Sequence, residues 1–140
     1  MESNNLTEYA ATDCRLIALR ETSSEGLTVC SPGADLPFAV KRVFYIYDVN
    51  IDNHHPGHAH YREHQALIAI RGSFDVVVSD GTTEITFHLD RSEKALYIPS
   101  GIWCSLSKFT PDAVCLVFSS TKFNRSDYIR DFSHFIALRR

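Results

Sequence analysis

The chain has 140 residues, 44% of them apolar and 22% charged, proportions that suit one globular domain with enough apolar side chains for a core. Fourteen basic against seventeen acidic residues give a net charge of −3, which argues against a surface built to neutralise nucleic-acid phosphates. No apolar run reaches the roughly 20 residues of a membrane-spanning helix, and the opening MESNNLTEYAATD lacks the basic and apolar regions of a secretory leader.

Residues 1–13 are polar and are expected to form a flexible N-terminal segment, with a single domain over 14–140. No repeat and no linker divides that stretch. Arg15–Arg20 and Leu27–Cys30 read as short strands, and Val43–Val49, rich in aromatic and β-branched residues, as a strong one. Ala66–Ile70 runs into a turn at Arg71-Gly72-Ser73, and Phe74–Ser79 resumes the β pattern. Asp80-Gly81 between two such runs predicts a hairpin. Beyond it Thr83–Leu89 alternates, with Ile85, Phe87 and Leu89 on one face and Glu84, Thr86 and His88 on the other. Ala95–Ile98, Ile102–Leu106 and Val114–Ser119 complete about nine strands. The period changes in the tail, where Ser126 is placed to cap a helix carrying Ile129, Phe132, Phe135 and Leu138. Many short antiparallel strands without βαβ alternation predict an all-β barrel or double-sheet jelly roll with a short C-terminal helix.

Cys14, Cys30, Cys104 and Cys115 are scattered without a CxxC pair, so they read as free, mostly buried thiols in a reducing cytoplasm. The concentrated signal is histidine: five of the seven fall within 54–64, in the run Asn53-His54-His55-Pro56-Gly57-His58-Ala59-His60-Tyr61-Arg62-Glu63-His64. On a strand, His58 and His60 point to the same side and Ala59 to the other. Pro56-Gly57 turns the chain into that strand. Three readings stand for this cluster. The histidines are hydrogen-bonded filler; or His58, His60 and His64 hold a metal, with Cys104 as a further ligand; or two imidazoles facing one cavity pass protons between neighbouring substrate atoms. His54 and His55 read as loop residues, and His88 and His134 as surface or structural.

An ordered series of segments resembles the dTDP-4-oxo-6-deoxy-glucose 3,4-ketoisomerases, sugar-nucleotide enzymes of the WxcM-like group with a cupin (RmlC-like) fold. The series runs Pro37-Phe-Ala-Val-Lys-Arg-Val-Phe-Tyr-Ile46, Gly57-His-Ala-His60, Gln65 with its apolar run to Arg71-Gly-Ser73, Leu96-Tyr-Ile-Pro-Ser-Gly-Ile-Trp103 and Asp127-Tyr-Ile-Arg-Asp131. It departs from the usual pattern where Arg-Gly-x-His-Ala-His becomes His55-Pro-Gly-His-Ala-His60 and Glu-Gln becomes His64-Gln65. Further on, Trp-His becomes Trp103-Cys104, and the first Tyr after Lys-Arg-Val becomes Phe44.

The resemblance implies a jelly-roll cupin barrel and an isomerase that moves a keto group from C4 to C3 of a dTDP-linked 4-oxo-6-deoxyhexose, without cofactor or metal. It implies His58 and His60 as the catalytic pair, and Arg42, Gln65, Tyr97 and Trp103 as substrate-binding residues, Arg42 serving the diphosphate. It further implies a homodimer, with the aromatic run at 43–49 as an apolar sheet face. Neither nucleic acid nor membrane is an expected partner. Cys104, where the pattern has His, is the departure placed nearest the expected cavity.

Overall fold

The computed structural model describes residues 6–21, 26–31, 33–50 and 56–140. The expected loop residues His54 and His55 lie outside them. Among the described residues twelve strands form, in chain order β1 (Arg15–Ala18), β2 (Arg20–Glu21), β3 (Thr28–Val29), β4 (Arg42–Tyr47), β5 (Ala59–His60), β6 (Gln65–Arg71), β7 (Phe74–Ser79), β8 (Glu84–Leu89), β9 (Lys94–Ile98), β10 (Trp103–Ser107), β11 (Val114–Ser119) and β12 (Tyr128–Ile129). One α-helix among the described residues, α1, spans Phe132–Arg139. The strands pair antiparallel throughout: a five-stranded sheet in the order β1-β9-β6-β11-β4, a three-stranded sheet β10-β7-β8, and the two-stranded pairs β12-β5 and β2-β3.

The two larger sheets pack face to face. Leu67, Ala69, Leu96, Ile98, Cys115 and Val117 from the first meet Phe74, Val76, Val78 and Leu89 from the second in one buried cluster. Burying these side chains is the main stabilising term, at about 1.5–3 kcal/mol for each large one. The unbroken apolar run of β6 has its own cause. Its alternate residues Ala66 and Ile68 are also buried, on the outer face of the sheet, beneath Leu36, Phe38 and Val40 from the segment before β4. β8 instead buries one face only, and its alternation of exposed and covered residues follows the sequence pattern. Asp80 makes the β7–β8 hairpin by accepting from the amides of Thr82 (2.8 Å) and Thr83 (2.7 Å) through one carboxylate oxygen.

Within the segment expected to be flexible, 1–13, Leu6 and Ala11 are buried, and the Ala11 amide donates to the second Asp80 oxygen at 2.8 Å. The tail, expected to turn helical from Ser126, first makes a short 3-10 turn at Arg125–Asp127 capped by Asn124. It then extends as β12 against β5. The helix begins only at Phe132, where the Asp131 carboxylate caps the amides of Ser133 and His134. Strand pairing outweighed the helical spacing of the apolar residues, because Ile129 buries itself with Ala59, Trp103 and Phe135.

Candidate active site

The site starts from β5, which is short because Gly57 and the turn after His60 break it on both sides. Gly57 has φ +92°, and a Cβ there would lie 2.9 Å from both Trp103 Nε1 and Ser105 Cβ, with the Cys104 carbonyl oxygen closer still. Only glycine allows that approach. It lets His58 and Cys104 exchange both backbone hydrogen bonds, at 3.1 and 2.9 Å, tying the histidine segment to β10.

From this frame His58 and His60 project together, their ring centroids 4.9 Å apart and nearly perpendicular. Ala59 points the other way into a buried cluster. The β5–β12 register sets Tyr128 directly opposite His60. Its ring packs 4.3 Å from His60 and 5.1 Å from His58. Beside these rings opens a cavity of about 270 Å³, walled by Phe44, Ile46, Leu67, Leu106 and Val117 and edged by His58, Gln65, Tyr128 and Arg130. Its apolar depth and polar edge suit a small organic ligand with one ionic end. His60 sits just behind this edge, 6% exposed, with Nε2 3.5 Å from the Gln65 amide nitrogen.

Electrostatics separate the groups. Burial first, then the His60 ring and the Arg130 guanidinium, push the His58 pKa down to about 4, against an opposing pull from Glu63. His58 is therefore neutral at physiological pH and free to accept a proton. Burial, aided by Glu63, raises the Tyr128 hydroxyl, so it remains a donor. Arg130 lies 4.5 Å above the Tyr128 ring, a cation at the cavity edge.

Behind the histidines sits Glu63, 2% exposed. Its carboxylate accepts from Arg42 Nη2 (3.0 Å), Gln65 Nε2 (2.5 Å) and Thr121 Oγ1 (3.0 Å), so a buried charge is compensated on every side. Asp127 is held by the amides of Arg62 (3.0 Å) and Glu63 (3.1 Å).

The sequence-predicted residues separate accordingly. His58 and Gln65 line the cavity, and His60 stands one layer back. Arg42 is not among the lining residues: its guanidinium donates to Glu63 and the Thr121 carbonyl, stacks over Phe44 and reaches the Tyr128 side chain at the cavity edge. Tyr97 lies on the outer face of β9, its hydroxyl 2.9 Å from His64 Nδ1 and its ring stacked on that imidazole. His64 is thereby turned away from His58 and His60, which removes it from the three-histidine metal arrangement. Among the described residues, the groups close enough to share an ion are instead His60, Glu63 and Asp127, within 4.8 Å of one another. Trp103 packs on Phe132 and Phe135 of α1, not in the cavity. Its neighbour Cys104 does line the cavity, and burial pushes its thiol above the ordinary range, so it is a neutral wall. Tyr128, Arg130 and Asp127 received no role from the sequence, although Tyr128 and Arg130 are two apart, a spacing that shares a face on extended chain.

Residues 12–140 match the family described as FdtA: WxcM-like, C-terminal. The chain belongs to this family. The chain is 31% identical, over 81% of each protein, to the TDP-4-oxo-6-deoxy-alpha-D-glucose-3,4-oxoisomerase of Aneurinibacillus thermoaerophilus. Its structure resembles that of the WlaRB TDP-quinovose 3,4-ketoisomerase of Campylobacter jejuni, with a TM-score of 0.84 at 31% identity over 89% of this chain and 98% of that one. It also resembles a mutant of the QdtA 3,4-ketoisomerase of Thermoanaerobacterium thermosaccharolyticum in complex with TDP-4-keto-6-deoxyglucose, with a TM-score of 0.84 at 30% identity over 89% and 91% of the two chains. The fold is the cupin barrel that the WxcM-like resemblance implies, closed at its C-terminal end by one helix.

Proposed function

We propose that the protein is a sugar-nucleotide 3,4-ketoisomerase of deoxysugar biosynthesis, acting on a TDP-linked 4-oxo-6-deoxyhexose in the depth between β4, β6 and β10. The observation that carries this reading is the imidazole pair, 4.9 Å apart beside a sugar-sized cavity with a cation at its edge. Family membership and the ketoisomerase relatives supply the reaction class.

The reaction takes the proton from C3 of the 4-oxo sugar while O4 gains one, giving an enediol. The O3 proton then leaves and C4 receives a proton, giving the 3-oxo sugar with no net change of atoms or electrons. Two bases serve the carbon-bound and oxygen-bound protons, and His58 and His60 suit that task. The donors at the edge, Gln65 Nε2 and the Tyr128 hydroxyl, offset the charge that develops on oxygen. Arg130 takes the role expected of Arg42, pairing with the diphosphate outside the cavity. Phe44, Ile46, Leu106 and Cys104 make a dry wall for the 6-deoxy side of the ring. The protein acts as a homodimer through the exposed face of β4, and free thiols at all four cysteines are consistent with a cytoplasmic setting.

The test is to incubate the protein with dTDP-4-oxo-6-deoxy-glucose in D₂O and follow the sugar by NMR. A 3-oxo product deuterated at C4 is expected. His58→Asn and His60→Asn should each lower kcat by about 10²–10⁴-fold. Bound but unchanged substrate with the unaltered protein would overturn the reading.

A further inference from the structure

The only buried side-chain nitrogen or oxygen without a hydrogen-bond partner among the described residues is His60 Nδ1. It points between two carboxylates: Asp127 Oδ2 is 3.5 Å away and Glu63 Oε1 3.7 Å away. A donor so placed loses its water without yet gaining a full bond, a costly state unless it serves the site. Catalytic hydrogen bonds are often long before the substrate arrives and shorten in the complex.

We infer that Asp127 and Glu63 are positioning residues that hold the His60 imidazole with its proton on Nδ1, leaving Nε2 as the proton acceptor toward the cavity. This rests on the ketoisomerase reading of the same site. Two independent constraints meet on one tautomer. On the far side of the ring, Glu63 Oε2 can only accept, so the Gln65 group 2.5 Å from it must be the amide nitrogen. That fixes the amide orientation and turns an N–H toward His60 Nε2, 3.5 Å away, which must then be unprotonated. On the near side, both facing oxygens belong to carboxylates and demand a donor at Nδ1. Neither carboxylate can swing away. Asp127 is clamped by two backbone amides, and Glu63 by Arg42, Gln65 and Thr121.

The tautomer is read directly from nitrogen-resolved NMR of ¹⁵N-histidine-labelled protein at about pH 8, where an ordinary imidazole is neutral. The expected result is His60 with Nδ1–H and a bare Nε2. In Glu63→Gln the side-chain oxygen stays with Arg42 and Gln65, and the new NH₂ faces Nδ1. The Nε2–H form should then rise and kcat fall about 100-fold, with KM changed less than about threefold. Asp127→Asn should do the same, and Glu63→Gln decides the matter if loss of a backbone clamp prevents Asp127→Asn from folding. An Nε2–H ring in the unaltered protein overturns the inference, as does a folded Glu63→Gln with unchanged tautomer and kcat, or a stoichiometric metal ion bound at Nδ1. Absence of isomerase activity in the unaltered protein counts against the ketoisomerase reading instead, since the NMR measurement needs no substrate.

Discussion

At the scale of single residues, His58 links the site to stability. An imidazole near 6.5 in the unfolded chain and about 4 in the folded one means that, as pH falls, the unfolded state takes up the proton first. The stability tied to neutral His58 is complete above pH 6.5 and is lost progressively toward pH 4, by at most on the order of 3 kcal/mol. The charged or titratable groups around it are His60, Arg130, Glu63, Tyr128 and Cys104, and only Glu63 pulls the other way. His64, lowered by burial, adds an effect of the same sign. Urea unfolding at pH 7 and pH 5 should therefore show a smaller acid loss in His58→Asn than in the unaltered protein. Equal losses would assign the acid sensitivity to other groups.

At the scale of elements, the tail locks the barrel end rather than decorating it. Arg139, in the last turn of α1, donates to the carbonyls of Asp80 (2.9 Å), Gly101 (3.0 Å), Tyr9 (2.9 Å) and Leu6. One guanidinium thus gathers the β7–β8 hairpin, the turn before β10 and the N-terminal segment. Arg139→Ala leaves these carbonyls to find water and should cost about 2–4 kcal/mol, less than four full charged bonds because some of the carbonyls rehydrate. Urea midpoints measure the loss, and proteolysis should cut residues 6–13 faster in the variant. Stability unchanged within about 0.5 kcal/mol would show that α1 packing alone holds this end.

At the scale of the whole molecule, β4 is an edge strand, and its outward residues Val43, Tyr45 and Tyr47 are 53%, 62% and 57% exposed. The two tyrosine rings lie 5.6 Å apart, a continuous apolar face on a strand with no second partner among the described residues. Under the homodimer proposal, light scattering should give twice the chain mass for the unaltered protein and the chain mass for Tyr45→Glu/Tyr47→Glu. A monomer in both cases removes β4 as the interface.

What the sequence by itself determined was whatever depends on neighbours in the chain. The alternation of β8 and the same-side placement of His58 and His60 with Ala59 opposite are set by a period of two over short stretches, and the Asp80-Gly81 hairpin by the turn residues themselves. The tertiary structure decided what depends on parity and on distant pairing. Trp103 and Cys104 are adjacent, and only the β10–β7 register, with Cys104 opposite the buried Val78, sends the thiol inward and the indole outward. Arg42 reads as a free cation until the fold brings Glu63, 21 residues away, against it. Tyr128 and Asp127 reach the histidines through pairing across more than sixty residues of chain, contacts that no local pattern encodes because hydrophobic burial of Ile129 and backbone pairing with β5 create them together.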